Sequence, residues 1–268
     1  MIADTTAHQQ KAQPELVALF ASDTHLNPAL PKTTEFFLDF LLQYARHAPA
    51  LYLLGDLFEY WVGDDNMADP YNQMIVQALR ALYDHGVKLY WIGGNRDFLI
   101  GEGFAKATGA MLLEDPHVIE VAGQRIAMTH GDAQCTDDLG YMEFRQKVRQ
   151  PEWQQAFLDM PLTQRKSIIE GFRTESKMEQ KQKSAEIMDV NNTAIADLFA
   201  QTRATTLIHG HTHRPAIHIH DGHARHVLAD WECDTTPTRG GWLALYSDAS
   251  IQAYHHDGRP VTETAISD

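Results

Sequence analysis

Short, nearly continuous apolar runs alternate along this chain with stretches whose apolar residues recur every three or four positions. Leu16 to Ser22, Ala50 to Leu54 and Val87 to Ile92 are of the first kind and predict buried strands. Thr34 to Arg46 and Tyr71 to His85 are of the second kind and predict helices. Gly86 stands where a left-handed residue commonly ends a helix. Strand and helix in alternation predict βαβ units and a largely parallel sheet.

After Gly109 the rhythm changes. His117 to Val121 and Arg125 to Thr129 flank Ala122-Gly123-Gln124 and predict a β-hairpin. Residues 138–185 carry no strand signal and predict helices. A further helix is expected from about Asp189 to Gln201, then a strand at Thr205 to Ile208 and short strands at 215–220, 225–229, 242–247 and 251–255.

Length then bounds the architecture. The 268 residues suit one large α/β domain with room for an insertion and an ample core. The start, residues 1–14, is polar and lacks the apolar centre of a signal peptide, so a disordered leader is expected before a domain of residues 15–268. No apolar run approaches the roughly 18 residues of a spanning helix. The formal net charge of −14 sets the average surface against nucleic acid and anionic lipid. An anionic substrate therefore has to be held by bound cations or by a local basic patch. Cys135 and Cys233 form no CxxC pair and no disulfide framework, which fits a reducing compartment.

Five short segments follow apolar strands, where α/β sheets build their sites. They are Asp23-Thr24-His25, Gly55-Asp56, Gly94-Asn95-Arg96-Asp97, His130-Gly131-Asp132 and Gly210-His211-Thr212-His213. Each offers a hard oxygen or an imidazole, and mixed N and O donors suit Mn²⁺, Fe²⁺, Zn²⁺ or Co²⁺. In extended chain, residues i and i+2 point the same way, so Asp23 with His25 and His211 with His213 are each expected to face one cleft.

In that order the segments resemble the calcineurin-like metallophosphoesterases. The likeness is strongest to the branch that cleaves the pyrophosphate bond of UDP-2,3-diacylglucosamine in lipid A biosynthesis. It rests on Gly55-Asp56-Leu57-Phe58-Glu59 with Trp61-Val62-Gly63-Asp64-Asp65, on Gly94 to Leu99, on Cys135-Thr136-Asp137-Asp138, on Ile187 to Asn191 and on His209 to Pro215. The resemblance implies two packed β-sheets flanked by helices, with a helical cap at about 139–185. It also implies two divalent ions, Mn²⁺ foremost. One would take Asp23, His25, Asp56 and His213; the other would take Asp56, Asn95, His130 and His211, with Asp56 bridging. Two ions sharing a carboxylate activate water and clamp phosphoryl oxygens for in-line displacement. The products would be UMP and 2,3-diacylglucosamine 1-phosphate. Substrate contacts are implied at Asn95, Arg96, Asp138, Ser176, Lys183 and His211, and at Gln180, where the family carries asparagine.

Many metallophosphoesterases place a proton-donating histidine after the asparagine of the GN segment. Arg96 stands there instead. A guanidinium donates no proton near neutral pH but binds phosphate bidentately. A phosphate leaving group, with a second pKa of about 6, hardly needs a proton. Arg96 therefore favours anhydride cleavage over monoester cleavage.

Residues 145–183 hold nine basic side chains (Arg145, Lys147, Arg149, Arg165, Lys166, Arg173, Lys177, Lys181, Lys183) against five acidic ones, interleaved with Trp153, Phe157, Ile168, Ile169 and Phe172. A basic amphipathic segment suits an acyl chain, an anionic headgroup or a membrane surface, and a solvated helical face is the plain alternative. The expected partners are a UDP-linked acylated sugar and the cytoplasmic surface of the inner membrane, without nucleic acid. A phosphodiesterase or nuclease, or a metal-free binding module, are the rival functions.

Other polar features have plain explanations. His218, His220, His223 and His226 surround Asp221-Gly222 and are expected on an exposed hairpin. His209 is expected to support the ligands rather than join them. Asp64-Asp65 are expected as helix caps, and Asp137-Asp138 admit the same reading. Cys135 and the tryptophans are expected to pack.

Overall fold

A computed structural model describes residues 13–180, 187, 189–262 and 265–267, the side chains of 174–180 and 267 excepted. The leader expected at 1–14 thus falls almost wholly outside the described residues, as does Lys183.

The chain runs β1 (Leu16–Ala21), α1 (Pro31–Gln43), β2 (Ala50–Leu53), α2 (Pro70–Asp84), β3 (Lys88–Trp91), α3 (Glu102–Thr108) and β4 (Met111–Leu112). There follow the hairpin β5 (His117–Val121) and β6 (Gln124–Met128), then α4 (Leu139–Val148), α5 (Pro151–Leu158) and α6 (Leu162–Gln180). Last come α7 (Asn192–Thr202), β7 (Thr206–His209), β8 (Ala216–His220), β9 (His223–Val227), β10 (Gly241–Tyr246), β11 (Ile251–His255) and β12 (Ile266–Ser267). The expected elements are present. Helix α1 begins earlier than its apolar periodicity suggested, because Pro31 takes the first turn and the Asp234 carboxylate accepts from Lys32 N–H at 3.1 Å and Thr33 N–H at 2.9 Å. The short α3, β4 and β12 were not expected; two-residue strands carry no readable period.

Two six-stranded sheets form, ordered β11-β10-β1-β2-β3-β4 and β12-β8-β9-β7-β6-β5. The expected parallel pairing holds for β1-β2-β3-β4 and for β6-β7-β9. Antiparallel β10, β11, β5 and β8 lie outside those blocks, so each sheet is mixed. Side-chain alternation in β1 explains the layering. Ala18 and Phe20 face the second sheet with Tyr52, Ile126, Ile208 and Leu243, whereas Leu19 and Ala21 face the helices with Phe37, Phe40 and Leu79. A strand covered on both faces reads as a continuous apolar run, as this one does. On the far side of the second sheet, Ala127 and Leu207 pack with Ile195, Leu198 and Phe199 of α7. The order is helices, sheet, sheet, helix. Burying each large apolar side chain stabilises the sandwich by about 1.5–3 kcal/mol.

The hairpin β8–β9 turns at Asp221-Gly222, both left-handed. It is not an exposed ribbon, however. His218 and His220 are half-buried and His226 is 8% exposed, because β8 and β9 lie between β12 and β7.

Helices α4 to α6 form the insertion. Phe157 joins the main apolar cluster, with Trp153, Ile168 and Ile169 packed against it. Five of its described basic residues are engaged with carboxylates. Arg165 pairs with Asp65 and Arg173 with Glu59. Arg145 Nε meets Asp132 at 2.8 Å, Arg149 reaches the same carboxylate at 3.6 Å, and Lys166 meets Asp69 at 3.9 Å. Five of the nine cations thus fasten the insertion to carboxylates of the core.

Candidate metal centre and substrate cavity

The five polar segments follow β1, β2, β3, β6 and β7, so the C-terminal ends of parallel strands from both sheets meet at one place. All eight residues expected to do chemistry are there. Asp56 lies between two groups of ligands: its Oδ2 is 4.0 Å from His25 Nε2, and its Oδ1 is 3.7 Å from His130 Nε2. On the first side, His213 Nε2 lies 3.2 Å from His25 Nε2 and 3.5 Å from Asp23 Oδ1. On the second, Asn95 Oδ1 lies 3.0 Å from His130 Nε2 and 2.9 Å from His211 Nδ1. Donor atoms of Asp23, His25 and His213 fall within 4.8 Å of one another, and so do those of Asp23, Asp56 and His130. Asp23 therefore reaches both groups, which its place in the sequence did not suggest.

The backbone achieves this in an unexpected way. Asp23, His25, Asp56, His211 and His213 all have positive φ, between 46° and 66°. The i, i+2 pairs are not extended chain; each ligand is turned inward by a left-handed residue. For non-glycine residues such a conformation costs of order 1–3 kcal/mol and collects at functional sites. Two glycines make room for the ligands. A Cβ at Gly94 would lie 2.1 Å from Asp56 Oδ1, and one at Gly210 would lie 2.1 Å from Asp23 Oδ2.

Electrostatics follow from burial. Asp23 and Asp56 are 0% and 2% exposed. Burial raises the Asp56 carboxyl to about 6 against the pull of His130. Burial also acts on Asp23, but its hydrogen bond to His213 and the surrounding imidazoles hold it well below the usual carboxylate range. Burial lowers His25 and His211 to about 3, keeping both rings neutral. His130 goes the other way, to about 9, because Asp56, Asp23 and Asp132 outweigh its burial. Two ring nitrogens 3.2 Å apart, facing buried carboxylates, are a donor set that fits divalent cations with mixed N and O preference.

Further residues support the site, among them Asp97 and Asp132, which the sequence placed in its polar segments without a role, and Asp230, which it did not single out. Asp97, fully buried, accepts from the N–H groups of Asp56 (3.2 Å), Leu57 (2.7 Å), Phe58 (3.3 Å) and Gly94 (3.0 Å). Burial raises its carboxyl to about 7. Its spacing after Gly94 was the available signal. Asp132 takes the Tyr141 hydroxyl at 2.6 Å as well as Arg145. Asp230 lies 3.6 Å from His213 Nδ1 and is held by Arg239 at 2.8 Å. His209, buried, has its Nδ1 2.9 Å from the Gly210 carbonyl oxygen and its Nε2 3.2 Å from Arg225 Nη1. Asp64 caps α3, accepting from Phe104 N–H at 3.0 Å, while Asp65 serves the insertion instead.

A cavity of about 820 Å³ opens over the ligands. His25, Asp56, Asn95, His211 and His213 line its floor; Phe98, Phe144, Trp153, Ile169 and Phe172 line one wall. Arg96 also faces it, with its Nε buried and unpartnered. The Arg96 backbone N–H donates to Asp56 Oδ1 at 2.8 Å, which ties the loop after β3 to the bridging carboxylate. Asp138 lines the cavity too and caps α4 through Tyr141 N–H at 3.1 Å. Ser176 and Gln180 lie on α6, their side chains beyond the described atoms.

Residues 16–215 match the family model for calcineurin-like phosphoesterases. A protein of Aromatoleum aromaticum named UDP-2,3-diacylglucosamine hydrolase is 49% identical over 81% of this chain and 90% of its own. Proteins of the same name from Chromobacterium violaceum and Haemophilus ducreyi are 47% and 46% identical, over 87% and 80% of this chain and 96% and 92% of their own.

Proposed function

This chain belongs to the calcineurin-like phosphoesterase family, and on that premise we propose that it hydrolyses the pyrophosphate bond of UDP-2,3-diacylglucosamine, giving UMP and 2,3-diacylglucosamine 1-phosphate. One observation carries the reading: the ligand set and the aromatic wall of the insertion share a single cavity. A diphosphate needs the first and acyl chains need the second.

Asp23, His25, Asp56 and His213 would hold one ion, and Asp56, Asn95, His130 and His211 the other, with Mn²⁺ the ion proposed. Such ions supply Lewis acidity, lowering the pKa of water and neutralising phosphoryl charge. The protein's own groups do the rest. Arg96, beside Asp56 and without a carboxylate partner among the described residues, binds the phosphate that leaves and offsets its growing charge. Burial favours the neutral, ligating form of His25 and His211, while His130, held protonated by the carboxylates around it, would give up its proton to an incoming ion. Phe98, Phe144, Trp153 and Phe172 exclude water and take acyl chain, each buried methylene contributing about 0.8 kcal/mol. Asp138, Ser176, Gln180 and Lys183 complete the proposed polar contacts. No described helix is long and apolar enough to cross a membrane. A doubly acylated substrate resides in a leaflet, so the reading includes peripheral attachment to the cytoplasmic membrane face.

The test compares kcat/KM for UDP-2,3-diacylglucosamine with that for p-nitrophenyl phosphate and its bis ester. The lipid should be preferred by orders of magnitude, with UMP as a product. Comparable values on all three would overturn the reading.

A further inference from the structure

The cavity has a second wall, opposite in character to the aromatic one. Leu30 at the start of α1, Thr212 within the ligand segment, and Trp231, Glu232 and Arg239 on the loop before β10 line it. The loop is fixed directly to the ligands. Trp231 N–H donates to the Asp23 carbonyl at 3.0 Å, and Glu232 and Arg239 exchange backbone hydrogen bonds of 3.0 Å each. Three polar atoms of these residues, Thr212 Oγ1, Trp231 Nε1 and Glu232 Oε1, lie just behind the cavity surface without a hydrogen-bond partner among the described residues. A buried polar atom left unpaired costs about 1–3 kcal/mol, and a rotation of these side chains toward the cavity would let an incoming polar group offset that cost.

Charge decides which end of the substrate that is. The Arg239 guanidinium is already committed to Asp230. What remains on the wall is the Glu232 carboxylate, one oxygen of which has no hydrogen-bond partner among the described residues, with the Thr212 hydroxyl and the Trp231 indole beside it. A carboxylate repels phosphate but accepts from hydroxyl and imide N–H groups, which is how acidic residues take ribose diols. The apolar wall under the insertion offers an acyl chain what this wall lacks.

We infer that the wall of Leu30, Thr212, Trp231 and Glu232 is the nucleoside subsite, with Glu232 accepting from ribose hydroxyls and Leu30 flanking the base. The inference rests on the proposed substrate and gives it a direction: acyl sugar under α4 to α6, diphosphate over Asp56 and Arg96, uridine against the 231–239 loop.

The probe is UMP, measured as an inhibitor of metal-loaded enzyme, with 2,3-diacylglucosamine 1-phosphate binding measured beside it. Glu232→Gln and Thr212→Val should each raise the UMP inhibition constant and the KM for the UDP-lipid at least tenfold. Affinity for the acylated sugar phosphate should stay within twofold, which a mere folding defect would not allow. Phe144→Ala should do the reverse. The inference is overturned if UMP inhibition is unchanged in both wall variants, or if Phe144→Ala weakens UMP instead. Failure of wild-type enzyme to cleave the UDP-lipid would sink the proposed reaction, while UMP binding and its dependence on Glu232 would still judge the subsite.

Discussion

Asp97 holds Asp56 in place: its Oδ1 accepts the Asp56 backbone N–H at 3.2 Å, and its Oδ2 takes Leu57 N–H at 2.7 Å. Three of its four donors lie on the loop after β2 and hold the left-handed conformation that presents Asp56; the fourth, Gly94 N–H, ties in the loop after β3. Asp97→Asn keeps the shape but turns an NH₂ toward two of those donors. Divalent-ion affinity should fall about 10–100-fold, the usual cost of losing support behind a ligand. Isothermal titration with Mn²⁺ checks this; unchanged affinity would show the loop to be held by other contacts.

Metal stoichiometry tests the division of the ligands. Elemental analysis of purified protein should give two divalent ions per chain, and chelation should abolish activity. His213→Ala should weaken one ion more than the other, since His213 groups with His25 and Asp23 and not with Asp56 and His130. Asp56→Ala should disturb both, since its two oxygens face different groups.

The insertion is latched by charge, and one latch can be cut. Arg165, 3% exposed, donates to the carbonyl oxygens of Val62 and Met160 and pairs with the more exposed Asp65. Arg165→Leu leaves two carbonyls unsatisfied and should cost about 1–3 kcal/mol each at most. A lower Tm is expected, with KM raised for long acyl chains more than for short ones. Equal KM changes at all chain lengths would refute a latch that serves acyl recognition.

Acid should destabilise the fold through His226, away from the ligands. Burial lowers this imidazole to about 4, below its ordinary 6.5. Between those values the unfolded chain binds a proton that the folded chain refuses, so stability rises with pH across the window and is lost as pH falls from 6.5 toward 4. The full difference is about 3 kcal/mol. In urea titrations at fixed pH, His226→Leu should show a shallower loss than wild type over this range. Identical slopes would mean that His226 finds a protonated-state partner on acidification.

Local chemistry made much of this protein legible in its sequence. Buried strands had to be apolar runs, and the ligand segments had to sit where those runs stop, because hard oxygens and imidazoles cannot be spared inside a strand core. Gly94 and Gly210 had to be glycine, because a Cβ there would strike Asp56 or Asp23. Asp23, His25, Asp56, Asn95, His130, His211 and His213 could therefore be named, and the structure brings them together. The tertiary structure decided what long-range contact decides. Arg165 and Asp65 are 100 positions apart, so nothing local shows that Arg165, within a run of basic residues, fastens the insertion to the loop after β2. Likewise only the folded chain shows Asp230 behind His213 or Glu232 facing a cavity. A carboxylate's partner is set by the packing of distant elements, and no local pattern of residues records it.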